Sequence, residues 1–139
     1  MTFAVDFDGT CVGSAFPDIG PDVPDVVTSL KELVEAGHAL ILHTCRWGKF
    51  LEGAVRWFGD RKIPLAAVGK EIKQGPYSSK VYADFYIDDK AVGVPLTHPE
   101  GFAYPCVNWV AVMAIIRTTD FSKVAQLSSE ALAAIRATD

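Results

Sequence analysis

The chain has 139 residues, of which half are hydrophobic and 22% are charged, a composition typical of one globular domain. Its longest strongly apolar run, residues 109–116, is too short to cross a bilayer, and two aspartates stand where a secretory signal peptide would be apolar. The three cysteines are odd in number and widely spaced, which argues against a disulfide framework or a zinc knuckle. We therefore expect a cytoplasmic protein with no membrane partner.

The net charge of −4 is unevenly distributed along the chain. Residues 1–25 contain five aspartates and no lysine or arginine, whereas residues 46–80 contain eight basic residues and three acids. An acidic region that could hold a metal cation is thus followed by a basic region that could face an anion.

Short apolar runs alternate with segments of helical periodicity. In the first half we predict a strand leading into Asp6, an irregular loop over residues 11–24, a helix over 25–35, a strand over 38–44 and a helix over 50–58. In the second half we predict strands over 65–68 and 81–87, a short fifth strand near 91–94, a helix from Asn108 to Arg117 and an amphipathic helix over 121–136. This alternation predicts a doubly wound, three-layer parallel sheet of about five strands. We expect one domain over residues 1–139, with a C-terminal helical extension from about residue 107.

Polar side chains cluster where the predicted strands end. Because the carboxyl ends of parallel strands meet at one edge of a sheet, we expect these residues to converge. They are Asp6 and Asp8 after the first strand, Thr44 and Arg46 after the second, and Asp88 and Asp89 after the fourth. Asp84 lies at the opposite end of the fourth strand, so we assign it no role.

Four segments of the sequence resemble the four motifs of the haloacid dehalogenase-like (HAD) phosphohydrolase superfamily. They are residues 6–10 (Asp-Phe-Asp-Gly-Thr), the strand that ends in Thr44, Lys80, and residues 86–89 (Tyr-Ile-Asp-Asp). The longer stretches over residues 37–46 and 82–90 are similar in sequence to small members of this superfamily that are found in bacteria and phages. The resemblance covers residues 3 to about 90, and no motif is recognised beyond about residue 105.

The resemblance implies a Mg²⁺-dependent phosphatase with a capless, Rossmannoid HAD-like domain. Asp6 would be the nucleophile that forms an aspartyl-phosphate, and Asp8 would be the general acid and base. Thr44 would bind a phosphoryl oxygen, and Lys80 would neutralise the transition state, with Lys70 or Lys73 as alternatives. The metal ligands would be Asp6, the backbone carbonyl of Asp8, and Asp88 or Asp89. Gly9 and Thr10 would contact the substrate.

Arg46 has two interpretations of equal weight: a bidentate contact to the substrate phosphate, or a salt bridge within its loop. Three neighbours of this site are expected to pack in the interior instead of acting on substrate. They are His43, Cys45 and Trp47.

Two other function classes compete with a phosphatase: a catalytically idle binding or scaffold protein on the same fold, and a phospho-signalling receiver domain. The spacing of the motifs leaves no room for a separate cap domain, so we expect an open site. An open site excludes water only when something covers it. We therefore expect a large phosphorylated substrate, such as a nucleic-acid end or a phosphoprotein, or a homo-oligomer in which a neighbouring subunit covers the site.

Overall fold

The computed structural model describes residues 1–69 and 80–137 and has an α/β fold. Its main sheet contains four parallel strands in the spatial order β3-β2-β1-β4. These strands are β1 (Thr2–Val5), β2 (Ala39–Leu42), β3 (Ala67–Val68) and β4 (Phe85–Ile87). Since β1 lies between β2 and β4, the three strands that precede the predicted site residues are neighbours. The arrangement is consistent with a Rossmann-like fold.

Helices and a small antiparallel sheet make up the rest of the described regular structure. They are α1 (Val26–Glu35), α2 (Gly48–Asp60), β5 (Leu96–Thr97), β6 (Cys106–Val107), α3 (Trp109–Arg117) and α4 (Phe121–Ala137). The predicted helices are confirmed, with shifts of a few residues at their ends. The Asn108 side chain caps α3 as predicted, because it accepts a hydrogen bond from the backbone N–H of Ala111 at 3.1 Å. Within residues 1–69 and 80–137, no helix is long and apolar enough to cross a membrane.

Two strand predictions are wrong in detail. Residues 91–94 form a turn with Gly93 at φ 85°, so the predicted fifth strand of the main sheet is absent there. The fifth strand, β5, begins two residues later and pairs with β6 instead. The fourth strand starts at Phe85 and not at Val81, because the Tyr86 hydroxyl donates to the Val81 carbonyl and accepts from the Ala83 N–H, which occupies backbone groups that a strand would use for pairing.

The main hydrophobic core lies on one side of the sheet. Alternate residues of β1 and β2, such as Phe3 and Leu40, face this core and pack with the apolar sides of α1, α2 and α3. The other side presents Ala4 and Ile41, which pack with Val81 and a few small residues. Since α1, α2 and α3 share one core, the described residues do not show a helix layer on the second side. The three-layer arrangement therefore stays a prediction.

The loop over residues 11–24 has no regular helix, as predicted. Val12 forms isolated β-bridges with Asp8 and Asp22, which fold the loop back on itself. The Asp22 carboxylate accepts hydrogen bonds from the Trp57 indole at 2.8 Å and from the Arg61 guanidinium at 2.7 and 2.9 Å. These contacts join the loop to α2, so it is held beside the carboxyl end of β1.

Candidate functional site

The register of the sheet brings the predicted acids to one edge. Val5, the last residue of β1, pairs with Leu42 of β2 and Ile87 of β4. The next backbone N–H, that of Asp6, donates to the Ile87 carbonyl at 2.9 Å. Asp6 is therefore adjacent to the residues that follow β4. Asp84 lies at the opposite edge, as expected, where its carboxylate accepts from the Thr2 N–H at 2.8 Å.

Three carboxylates form the centre of the site. One oxygen from each of Asp6, Asp88 and Asp89 lies within 4.8 Å of the other two. Burial and, to a smaller extent, the neighbouring charges of Asp88 and Asp89 raise the pKa of Asp6 to about 7. Burial also raises the pKa of Asp89, whose side chain is only 6% exposed. Acids placed this close and this deep require a proton or a cation, and their oxygen-only donor set suits Mg²⁺.

Gly9 and Thr10 hold these acids in place instead of facing a substrate. The Thr10 hydroxyl is fully buried; it donates to Asp6 at 3.0 Å and accepts from the Asp89 N–H at 3.1 Å. Gly9 donates its N–H to Val12 at 2.7 Å and has φ 81°. A Cβ atom there would lie 2.4 Å from an Asp89 carboxylate oxygen. The predicted substrate contacts of Gly9 and Thr10 are therefore wrong, because both residues are used inside the protein.

The Arg46 guanidinium forms an ion pair, but its partner is Asp8 of the first motif and not a residue of its own loop. Its Nε and Nη2 atoms donate to the two Asp8 oxygens at 2.7 and 2.6 Å. The side chain is 2% exposed, and it also donates to the carbonyls of Pro17 and Asp18 at 3.2 and 2.7 Å. The Arg46 N–H donates to the Thr44 hydroxyl at 3.2 Å. Through these hydrogen bonds Arg46 connects the Asp8 carboxylate to the loop over residues 11–24.

The predicted motif lysine, Lys80, lies outside the described lining of the acid pocket. Lys80 is exposed, and its Nζ atom lies 5.2 Å from the centroid of the Tyr86 ring. It is not among the described residues that line the pocket around Asp6. The alternatives, Lys70 and Lys73, lie outside the described residues.

A pocket of about 370 Å³ opens over the acids, within the size range of small-molecule sites. Its described lining residues are Asp6, Asp8, Ser14, Phe16, Thr44, Cys45, Arg46, Trp47, Asp88, Asp89 and Lys90. The structure thus brings together the predicted Asp6, Asp8, Thr44, Arg46, Asp88 and Asp89.

Several side chains expected in the interior are exposed. Trp47 is 64% exposed, and His43 and Cys45 are also exposed; β2 ends at Leu42, and the chain leaves the sheet after the His43 N–H, which still donates to the Val5 carbonyl at 2.9 Å. The sequence analysis missed Phe16 and Trp47 as pocket residues. Phe16 carried a usable signal, because it belongs to no helical or alternating apolar pattern, whereas Trp47 stands at helical spacing from Phe50 and Leu51.

The C-terminal elements support the first motif. The Val107 N–H of β6 donates to the Gly9 carbonyl at 2.9 Å, and the Trp109 indole of α3 donates to the Thr10 carbonyl at 2.8 Å. The Cys11 thiol donates to the Asp6 carbonyl at 3.3 Å. The turn that carries the acids is therefore fixed by segments in which no motif was recognised.

One solved structure resembles this chain over most of its length. It is described as the structure of a conserved protein coded by a locus from Bacteroides thetaiotaomicron. The two chains share 34% sequence identity with a TM-score of 0.71, over 88% of this chain and 94% of that one. No protein-family model matches the chain, and no match was found among curated proteins.

Proposed function

This chain belongs to the same family as the conserved Bacteroides thetaiotaomicron protein, and we propose that it is a Mg²⁺-dependent phosphatase that hydrolyses a phosphomonoester through an aspartyl-phosphate. The observation that carries the proposal is the convergence of Asp6, Asp88 and Asp89 within 4.8 Å at the carboxyl edge of the sheet. The motif resemblance to capless HAD-like phosphohydrolases supports the same reaction.

Asp6, Asp88 and Asp89 would hold the Mg²⁺ ion together with the backbone carbonyl of Asp8. The bound cation would neutralise the clustered carboxylates and screen them from the negative charge of a phosphoryl group. The raised pKa of Asp6 supports this assignment, since burial leaves this acid with a need for compensating positive charge, whereas Asp89 already pairs with the Lys90 Nζ atom at 3.2 Å.

In this proposal Asp6 is the nucleophile, because it belongs to the cluster of three acids and its carboxylate is oriented by the Thr10 hydroxyl. Its carboxylate attacks phosphorus, the bond from phosphorus to the leaving oxygen breaks, and that oxygen takes a proton from Asp8, which must enter this step protonated and therefore outside its ion pair with Arg46. Asp8 then takes a proton from the water that hydrolyses the aspartyl-phosphate. The Arg46 ion pair holds the ionised Asp8 carboxylate in one orientation for the second transfer, in which Asp8 is the base. Thr44, which also lines the pocket, supplies a hydroxyl for a phosphoryl oxygen.

A phosphatase screen with Mg²⁺ tests the proposal. The panel contains nucleotides, sugar phosphates, oligonucleotides with terminal phosphates and a phosphopeptide. We expect turnover by the wild type and by the control variant Asp84→Asn, whose aspartate lies at the other edge of the sheet. We expect Asp6→Asn to remain folded and inactive, because an amide cannot form the covalent intermediate; retention of more than about a tenth of wild-type turnover would contradict the assignment.

Trapping of the intermediate gives a second readout. Beryllium fluoride binds covalently to an aspartate in the manner of a phosphoryl group, so a fluorine signal should appear with wild-type protein and be absent with Asp6→Asn. A wild type that binds Mg²⁺ at the acids but hydrolyses no member of the panel would favour the binding or scaffold protein.

A further inference from the structure

Two aromatic side chains form one wall of the pocket above the acids. Phe16 comes from the loop over residues 11–24, and Trp47 directly precedes α2. Their ring centroids are 5.7 Å apart with an interplanar angle of 37°, and they are 49% and 64% exposed. Large aromatic surface that remains exposed inside a pocket is typical of a place where a ligand is bound.

Phe50 and Arg46 contact this aromatic wall and hold it in place. Phe50 of α2 packs against both rings, at 5.2 Å from Phe16 and 5.8 Å from Trp47. The Arg46 guanidinium lies 5.3 Å from the Phe16 centroid and bonds to the Pro17 carbonyl directly after it. Because the same guanidinium pairs with Asp8, the aromatic wall and that acid share one anchor. The rings therefore present a fixed surface at a fixed position relative to the acids.

We propose that Phe16 and Trp47 form a stacking subsite for the planar base of a nucleoside phosphate whose phosphomonoester group lies at Asp6. This inference rests on the proposed phosphatase function and names its substrate class. The polar end of the pocket takes the phosphate, and the aromatic end takes a ring that needs little hydrogen bonding. A base can stack on an aromatic side chain whatever its identity, so this subsite tolerates all four bases.

The base can belong to a free nucleotide or to the terminal nucleotide of a nucleic acid, since both present the same ring next to the same group. Two exposed lysines lie beside the subsite. Lys90 is at the pocket rim, where its Nζ atom pairs with an Asp89 carboxylate oxygen at 3.2 Å, and the Lys49 Nζ atom lies 5.3 Å from the Phe50 ring centroid. Lys49 is placed to meet a further backbone phosphate if the substrate is a strand.

The test compares Trp47→Leu and Phe16→Leu with the control Tyr104→Leu, which alters an aromatic residue that is 62% exposed and outside the pocket lining. Substrates are a nucleoside monophosphate, an oligonucleotide with a terminal phosphate, and ribose 5-phosphate, which has no base. We expect kcat/KM for the two base-bearing substrates to fall by roughly 5- to 150-fold in the pocket variants, the range for loss of one base–aromatic stack. Activity on ribose 5-phosphate should change by less than about twofold in all three variants. Trp47→Phe should restore most of the activity.

Binding to the Asp6→Asn protein gives a readout that needs no turnover. A nucleoside monophosphate should quench the fluorescence of Trp47, and Trp47→Phe, which keeps Trp57 and Trp109, should lose this signal. If the wild type hydrolyses nothing but this quenching occurs, the phosphatase proposal fails and the subsite stands. If the pocket variants lose activity equally on ribose 5-phosphate and on nucleotides, or if no quenching occurs, the stacking subsite is overturned whatever the phosphatase result. The wild type's ratio of kcat/KM values for the oligonucleotide and the mononucleotide identifies the source of the base.

Discussion

Replacement of the buried Arg46 should lower the free energy of unfolding more than replacement of an arginine whose ion pair is more exposed. The Arg46 guanidinium makes two bonds to Asp8 and donates to the carbonyls of Pro17 and Asp18, and its side chain is 2% exposed. Arg46→Met keeps much of the apolar stem but removes every one of these donors. Asp8, which is 24% exposed, then keeps its charge without its partner.

The expected loss can be worked out from this geometry. Removing one partner of a fully buried ion pair costs about 3–5 kcal/mol, because the other charge remains desolvated. The partial exposure of Asp8 reduces this figure, and we expect the free energy of unfolding to fall by about 2–4 kcal/mol. For a chain of this length, that loss lowers the melting temperature by roughly 6–15 °C.

Urea unfolding measures the loss, and a second bidentate pair in the same protein provides the control. Arg61 bonds to Asp22 at 2.7 and 2.9 Å, but these side chains are 29% and 39% exposed. Arg61→Met should therefore cost about 1 kcal/mol or less. Arg46→Lys, which keeps the charge but not the fork of donors, should fall between the two methionine variants. If Arg46→Met and Arg61→Met unfold at the same urea concentration, the reasoning is refuted.

Two further predictions concern the acids. Gly9→Ala should push away the Asp89 carboxylate, which a Cβ atom would approach to 2.4 Å, and should weaken the Mg²⁺-dependent rise in melting temperature as Asp89→Asn does. Gly37→Ala, with a similar φ of 87° and open space around it, should keep the full Mg²⁺ response; equal responses in the two alanine variants would contradict this account. Asp6 has a pKa of about 7 in the folded protein, against an ordinary value of 3.8. Between about pH 4 and pH 7 the folded protein therefore holds a proton that the unfolded chain has released. The free energy of unfolding of the metal-free protein thus falls as the pH rises through that window. In EDTA, Asp6→Asn should therefore gain stability relative to the wild type between pH 5 and pH 8 in urea unfolding, and a constant difference would show that burial does not raise this pKa.

The position of the acids could be predicted from the sequence because it depends on local patterns. Short apolar runs mark β1, β2 and β4, and parallel strands end at a common edge. Once Val5 pairs with Leu42 and Ile87, the next residues of the three strands must be neighbours. The pairing of β1 with β2 and β4 was therefore the one long-range feature needed to predict where the acids lie.

The roles of Thr10, Arg46 and Trp47 could not be predicted in the same way, because each depends on contacts between distant parts of the chain. The Thr10 hydroxyl meets the Asp89 N–H across 79 residues, and Arg46 meets Asp8 across 38. A threonine in a turn and an arginine after a strand have the same sequence pattern whether they face a ligand or the protein interior. Trp47 is exposed and lies beyond β2, which ends at Leu42, and a strand boundary is not fixed by apolar composition alone.

The C-terminal segment shows why the motifs alone do not make this site. The acids repel one another and are partly desolvated, so the turn that carries them must be held by contacts that do not depend on a bound cation. Val107 and Trp109 provide such contacts, since their N–H groups bind the carbonyls of Gly9 and Thr10 from the opposite end of the chain. Trp109 is 1% exposed within the main core, so the core that stabilises the fold also fixes the turn. The geometry of the acid cluster is therefore coupled to global folding, which is the condition for a site that stays preorganised before its ligands bind.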